Sequence, residues 1–161
     1  MASSGTDGSA AASTGGENEE LLDGVMSSKL VYSGLLALSQ LHHKQFADAY
    51  KTMRRTIAYM QHCEPTAYFT IVCYQGVVEV LVKLLQADDA TIKTLASGMT
   101  RAKLTAEMTA ALDVLYEFDQ TFVISTPRSL LWKGVHEAWR GKRAKSDSKL
   151  AEAAYTAKRL G

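Results

Sequence analysis

Between Phe69 and Leu85 the chain is apolar almost without a break, and the main polar interruptions are Gln75, Glu79 and Lys83. Ile71, Val72, Val77, Val78, Val80 and Val82 are β-branched and would suit a buried strand. The interruptions favour a helix instead. They fall at i, i+4 and i+8, a single stripe along a helix, with Glu79 preceding Lys83 in the favourable order. A helix apolar on nearly every other face belongs in the middle of a helical stack. The same three residues make the run a poor membrane anchor, which needs ~20 mostly uncharged residues.

The remaining chain has the same period. Phe46, Tyr50, Met53, Ile57 and Met60 recur at steps of three and four, as do Leu104, Met108, Ala111, Leu115, Phe118 and Phe122, and finally Leu150, Ala154, Ala157 and Leu160. Two prolines and eleven glycines, several of them before residue 25, leave too few breaks for a many-stranded fold. The fold class expected is all-α. A length of 161 residues fits one domain, 25–161, preceded by a Ser/Gly/Ala-rich acidic tail, 1–24, with too little to bury to offset its ordering entropy. Thr126 is expected to cap a helix with Pro127 in its first turn, Pro65 to open another near Tyr68, and Asp147 to cap the last. Gly98 marks a break that leaves a short helix after Asp89 and a longer one over 101–120.

An aromatic residue two before a glycine occurs three times, as Tyr32-Ser33-Gly34, Tyr74-Gln75-Gly76 and Trp132-Lys133-Gly134. Leu30 to Leu35 also aligns with Leu130 to Val135. A glycine inside a helix costs ~1 kcal/mol against alanine, so three such placements require a return. Close helix crossing supplies it, with the neighbouring aromatic expected to close over the gap. Three helical hairpins follow: 28–42 with 44–61, 65–86 with 101–120, and 127–141 with 147–160. Each buries its face by stacking on the next.

Catalytic chemistry is not evident. His42, His43, His62 and His136 have no helical partner at metal-ligand spacing and no paired carboxylates, so no catalytic residue, cofactor or metal is assigned. Cys63 and Cys73 are read as free core thiols in a reducing, cytoplasmic setting. The tail carries five acidic residues and no Lys or Arg, leaving an excess of about six positive charges on the rest, concentrated between Arg128 and Arg159. Solvated helix faces account for most of that excess. An acidic partner or nucleic acid is the alternative, with nucleic acid disfavoured because no aromatics interleave with the basic residues.

Phe122 to Arg128, Trp132-x-Gly134, Gly141-Lys142, Leu150-x-x-Ala153 and Ala157-x-x-Leu160 together resemble the tetratricopeptide-like tail of soluble adenylyl cyclases and related large signalling ATPases. The resemblance spans roughly residues 28–161. It implies antiparallel hairpins stacked as a short solenoid, and a scaffold or regulatory segment that contacts other repeats, a parent-chain domain or a peptide. The family's cyclase and nucleotide-binding domains lie outside the matched region, so no catalytic residue carries over. Leu150 also stands where the family often has tryptophan. The apolar residues at the end of the last helix predict self-association or a missing neighbour.

Overall fold

The computed structural model describes residues 14–61 and 68–161, with side chains from Val25 onward. Among the described residues seven helices follow one another: α1 (Thr14–His42), α2 (Phe46–Met60), α3 (Ile71–Gln86), α4 (Asp89–Leu95), α5 (Arg101–Thr121), α6 (Thr126–Trp139) and α7 (Arg143–Leu160). Single 3-10 turns, Tyr68–Thr70 and Val123–Ser125, lead into α3 and α6. There is no strand among the described residues.

The apolar run becomes α3. Its residues Ile71, Tyr74, Val77, Val78, Leu81 and Leu84 are buried, while Lys83 is exposed and Gln75 and Glu79 are half-exposed, tracing the polar stripe. Valines cost a helix only tenths of a kcal/mol each, whereas burying one stabilises by ~1.5 kcal/mol or more. Burial therefore overrides strand preference. The stretch Tyr68–Gln86 is long and apolar enough by composition to cross a bilayer, but 67% of its most apolar window is covered inside the fold, where α1, α2 and α5 pack against α3.

α1 packs on α2 and on α3, and α3 packs on α5. At the α1–α3 crossing Gly34 lies against Cys73, and Gly76 lies against Leu38. The two helices therefore run the same way. Side-chain bonds tie α2 to its neighbours: the Ser33 and Thr56 hydroxyls are 2.7 Å apart, and the Tyr50 hydroxyl donates to Glu107 Oε1 at 2.8 Å. Burial and that carboxylate push the Tyr50 phenol up to about 12. A row of rings, Tyr74–Phe118–Phe122–Tyr68, continues the core from α3 to the end of α5.

The short α4 is capped by Asp88, which accepts from the Thr91 N–H at 2.7 Å, and it lies against α2. Arg101 holds this excursion in place. Its guanidinium donates to the Leu85 carbonyl, to the Ala87 carbonyl at 2.8 Å and to Asp89 at 2.8 Å, satisfying carbonyls at the C-terminal end of α3. Gly98, at φ 68°, supplies the turn before Thr100 caps α5.

Two links share one design. After α1, Lys44 N–H donates to Leu41 O and Gln45 N–H to Gln40 O; after α6, Gly141 N–H donates to Ala138 O and Lys142 N–H to Glu137 O. Both are Schellman caps with a left-handed residue, Lys44 at φ 59° or Gly141 at φ 73°. Each link takes three residues before the next helix begins. The α6–α7 pair meets the rest of the fold chiefly along α5.

Several expectations need correction. α1 starts at Thr14, so the backbone of 14–24 is helical. Residues 1–13 of the expected tail, and the expected roles of His62, Cys63 and Pro65, lie outside the described residues. Thr126 is already helical at φ −51°, because a 3-10 turn feeds straight into α6; Pro127 does sit in its first turn. Asp147 lies one turn inside α7, which begins at Arg143 because the Schellman link is so short. The stripe Leu150, Ala154, Ala157, Leu160 is not the buried face of α7: Ser146 and Ala153 are buried and Leu150 half-buried. With 18 residues against 14 in α6, the last turn of α7 outruns its partner.

Candidate functional site

The three glycines of the aromatic-x-Gly motif all sit at close contacts, though not at equivalent ones. A Cβ on Gly34 would stand 2.7 Å from Cys73 Cα; one on Gly76 would meet Leu38 Cδ1 at 3.1 Å; one on Gly134 would meet the Leu150 side chain at 2.8 Å. Gly34 and Gly76 are thus two halves of the α1–α3 crossing, whereas Gly134 faces α7. The links explain the difference. Gly34 lies eight residues before the end of α1 and Gly134 five before the end of α6, so the motif is shifted by almost one turn between the two pairs. Counted from the links, Gly134 and Ser146 correspond to Ala37 and Ala49, small buried residues in both pairs.

The aromatic partners do not close over their glycines. Tyr32 is 69% exposed, Tyr74 is buried with its ring centre 4.6 Å from that of Phe118, and Trp132 is half-buried. Residues two apart on a helix project about 200° apart, so an aromatic at that spacing points away from the gap.

A cleft of about 700 Å³ lies where α5, α6 and α7 meet. Each helix supplies residues at i, i+3, i+4 spacing: Thr109, Leu112 and Asp113 from α5; Lys133, His136 and Glu137, with Arg140 a turn on, from α6; Lys145, Ser148 and Lys149 from α7. Four cations face two carboxylates. Arg140 pairs with Glu137 at 3.3 Å, Lys142 approaches the same carboxylate at 3.8 Å, and Lys149 pairs with Glu152 at 2.6 Å. Among the described residues no ion pair forms at Lys133, Lys145 or Asp113.

Lys133 Nζ lies 3.8 Å from the centre of the Tyr116 ring, and burial lowers its pKa although Asp119 and Asp113 oppose the shift. His136 is buried between α5 and α6, its Nε2 3.3 Å from Thr109 Oγ1. Burial, then Arg140, lowers its pKa, which favours the neutral imidazole. Behind Lys133, Asp119 is 4% exposed and accepts from Ser129 at 2.8 Å and from Ser125. Burial raises its pKa, and the two serine hydroxyls partly counter that. These bonds join the end of α5 to the start of α6.

A second cleft of about 600 Å³ lies between α2 and the turn before α5. Most of its polar groups are engaged: Arg54 pairs with Glu107 at 2.5 Å, and Lys103 Nζ donates to the Gly98 carbonyl at 2.8 Å. No three His, Cys, Asp or Glu side chains converge to hold a metal among the described residues. Cys73 is buried, and burial pushes its thiol up to about 12. The sequence contains the spacing of each cleft-lining face, but not which faces meet.

Comparison with protein-family models, with curated proteins and with solved structures finds no match to this chain.

Proposed function

We propose that this chain is a non-catalytic helical scaffold or regulatory segment of the cytosol, akin to the tetratricopeptide-like tails of adenylyl cyclase-type signalling proteins. In this reading its helical pairs stack as a short solenoid and dock on another protein or on a neighbouring domain.

The observation that carries the reading is the outward face of α1. Residues 25, 28, 32, 35, 39 and 42 alternate at steps of three and four and all are exposed. Val25, Tyr32 and Leu35 on that stripe are 46%, 69% and 49% exposed. Large apolar groups aligned along one helix edge favour burial against a partner, each recovering ~25 cal/mol for every Å² covered. The parallel α1–α3 contact supports a stack, since successive first helices of a hairpin array lie side by side in one direction.

A photo-crosslinking amino acid placed at Tyr32 or Leu35 in the full chain, expressed in its native cytosol, tests the idea. Discrete protein adducts at both positions, absent when the probe replaces exposed Glu117 on α5, are the expected result. Equal labelling at all three positions, or none at any, overturns it.

A further inference from the structure

The geometry points to the cleft between α5, α6 and α7 as a binding site for a small phosphorylated polyol, with its phosphate at Lys133, Lys145 and Lys149 and its hydroxyls at Asp113. This inference stands apart from the scaffold reading, which rests on a different face.

Size argues for a small molecule. About 700 Å³ lies within the usual ~300–1,000 Å³ of ligand pockets. Along α6 the cleft extends from Lys133 to Arg140, a rise of about 10 Å, which would hold only about three residues of extended peptide.

Charge argues for a compact dianion. Lys133 and Lys145 form no ion pair among the described residues, although Asp119 and Asp113 act on Lys133 from a longer range, and the Lys149–Glu152 pair is exposed on both sides, so a phosphate can compete for that ammonium. Arg140 is committed to Glu137. Lys133 is steadied over the Tyr116 ring before any ligand arrives, which reduces the ordering cost of binding. The second cleft lacks this excess, because Arg54 and Lys103 are already engaged.

Asp113 sets the rest of the ligand. Its carboxylate lines the same cleft as the three lysines and forms no ion pair among the described residues, so it repels a second phosphate but accepts hydrogen bonds from hydroxyls. Ser148 on α7 adds a hydroxyl to the lining. One phosphate and several hydroxyls match this lining, whether on a free sugar phosphate or on the headgroup of an inositol lipid.

Calorimetric titration of the full chain with glucose 6-phosphate, glucose and inorganic phosphate, and a sedimentation assay with vesicles containing phosphatidylinositol 4-phosphate, test this. Saturable binding of glucose 6-phosphate is expected, at least about tenfold tighter than glucose or phosphate alone, and weakened by salt. Vesicle binding with weak glucose 6-phosphate binding supports the same site with a lipid as its source. Lys145→Ala, at an exposed position, and Lys133→Met, which keeps the stem over Tyr116, should each weaken binding about tenfold, while Lys51→Ala in the other cleft should leave it unchanged. Asp113→Asn should weaken glucose 6-phosphate and strengthen inorganic phosphate, a split that general charge attraction would not produce. Absence of saturable binding to every phosphate probe, wild-type affinity in both lysine variants, or binding of a single-stranded oligonucleotide alone overturns the proposal.

Discussion

Replacing Gly34 by alanine tests the α1–α3 crossing most directly. The new Cβ would stand 2.7 Å from Cys73 Cα and 3.0 Å from Cys73 Cβ. Carbon atoms in contact settle at ~3.5–4.0 Å, so the two helices must part by about 1 Å. The obstacle is backbone in a buried helix and no rotamer change relieves it. Alanine returns ~1 kcal/mol of helix propensity, while overpacking a tight core costs typically ~1–3 kcal/mol and more at a rigid contact. The net loss expected is about 1–2 kcal/mol, which lowers Tm by roughly 2–8 °C in a chain of this size. Gly76 provides the control at the same crossing: its Cβ would meet the movable end of Leu38 at 3.1 Å, so Gly76→Ala should fall within about 0.5 kcal/mol of the parent. Gly134→Ala, which meets the Leu150 side chain at 2.8 Å with its backbone nitrogen at 3.4 Å, should lie between the two. Urea unfolding followed by circular dichroism ranks all three. A Gly34→Ala protein as stable as the parent, or a Gly76→Ala protein that loses as much as Gly34→Ala, refutes the close-crossing argument.

Asp119→Asn should keep both serine bonds through Oδ1 and remove the cost of a buried charge, so the variant should be at least as stable as the parent at pH 7, whereas Asp119→Ala strands the Ser129 hydroxyl and should cost about 1–3 kcal/mol. Because the folded pKa is raised, the parent loses stability as pH climbs from the unfolded Asp range through the folded value; the Asn advantage should therefore shrink as the medium is acidified, which melts at stepped pH will read. Cys73, in a Cys63→Ser background, should resist a thiol reagent in the native state and react at the rate of unfolding, checked by adding urea; rapid native labelling contradicts its burial. Arg101→Met should cost about 1 kcal/mol, with amide exchange speeding up in α4 and the end of α3 while the centre of α3 keeps its protection.

Helix identity was legible in the residues because burial periodicity is a local property: Gln75, Glu79 and Lys83 marked the open edge of α3 whatever surrounded it. Glycine spacing was equally visible, but its meaning was not. Tyr32 and Gly34 are neighbours in sequence and opposites in projection, so the aromatic had no route to the gap. Reading Gly34 and Gly134 as equivalents also failed, since the links at Lys44 and Gly141 set the register and place the two glycines on different faces. The start of α7 was missed for a related reason: Asp147 is a good capping residue, yet the Schellman link had already restarted the helix at Arg143. The basic character of the last two helices was countable from sequence. Its concentration into a cleft with Asp113 was not, because that depends on α5 supplying the third wall.

The attachment of α6 and α7 chiefly along α5 has a mechanical consequence. A pull applied through the two ends of the molecule loads that seam in series with everything upstream, and its polar links include Asp119 with its two serines, Thr109 with His136, and Lys133 over Tyr116. The last pair should detach as one piece at low force, leaving α1, α3 and α5 folded, so that the chain would yield in two steps of unequal height.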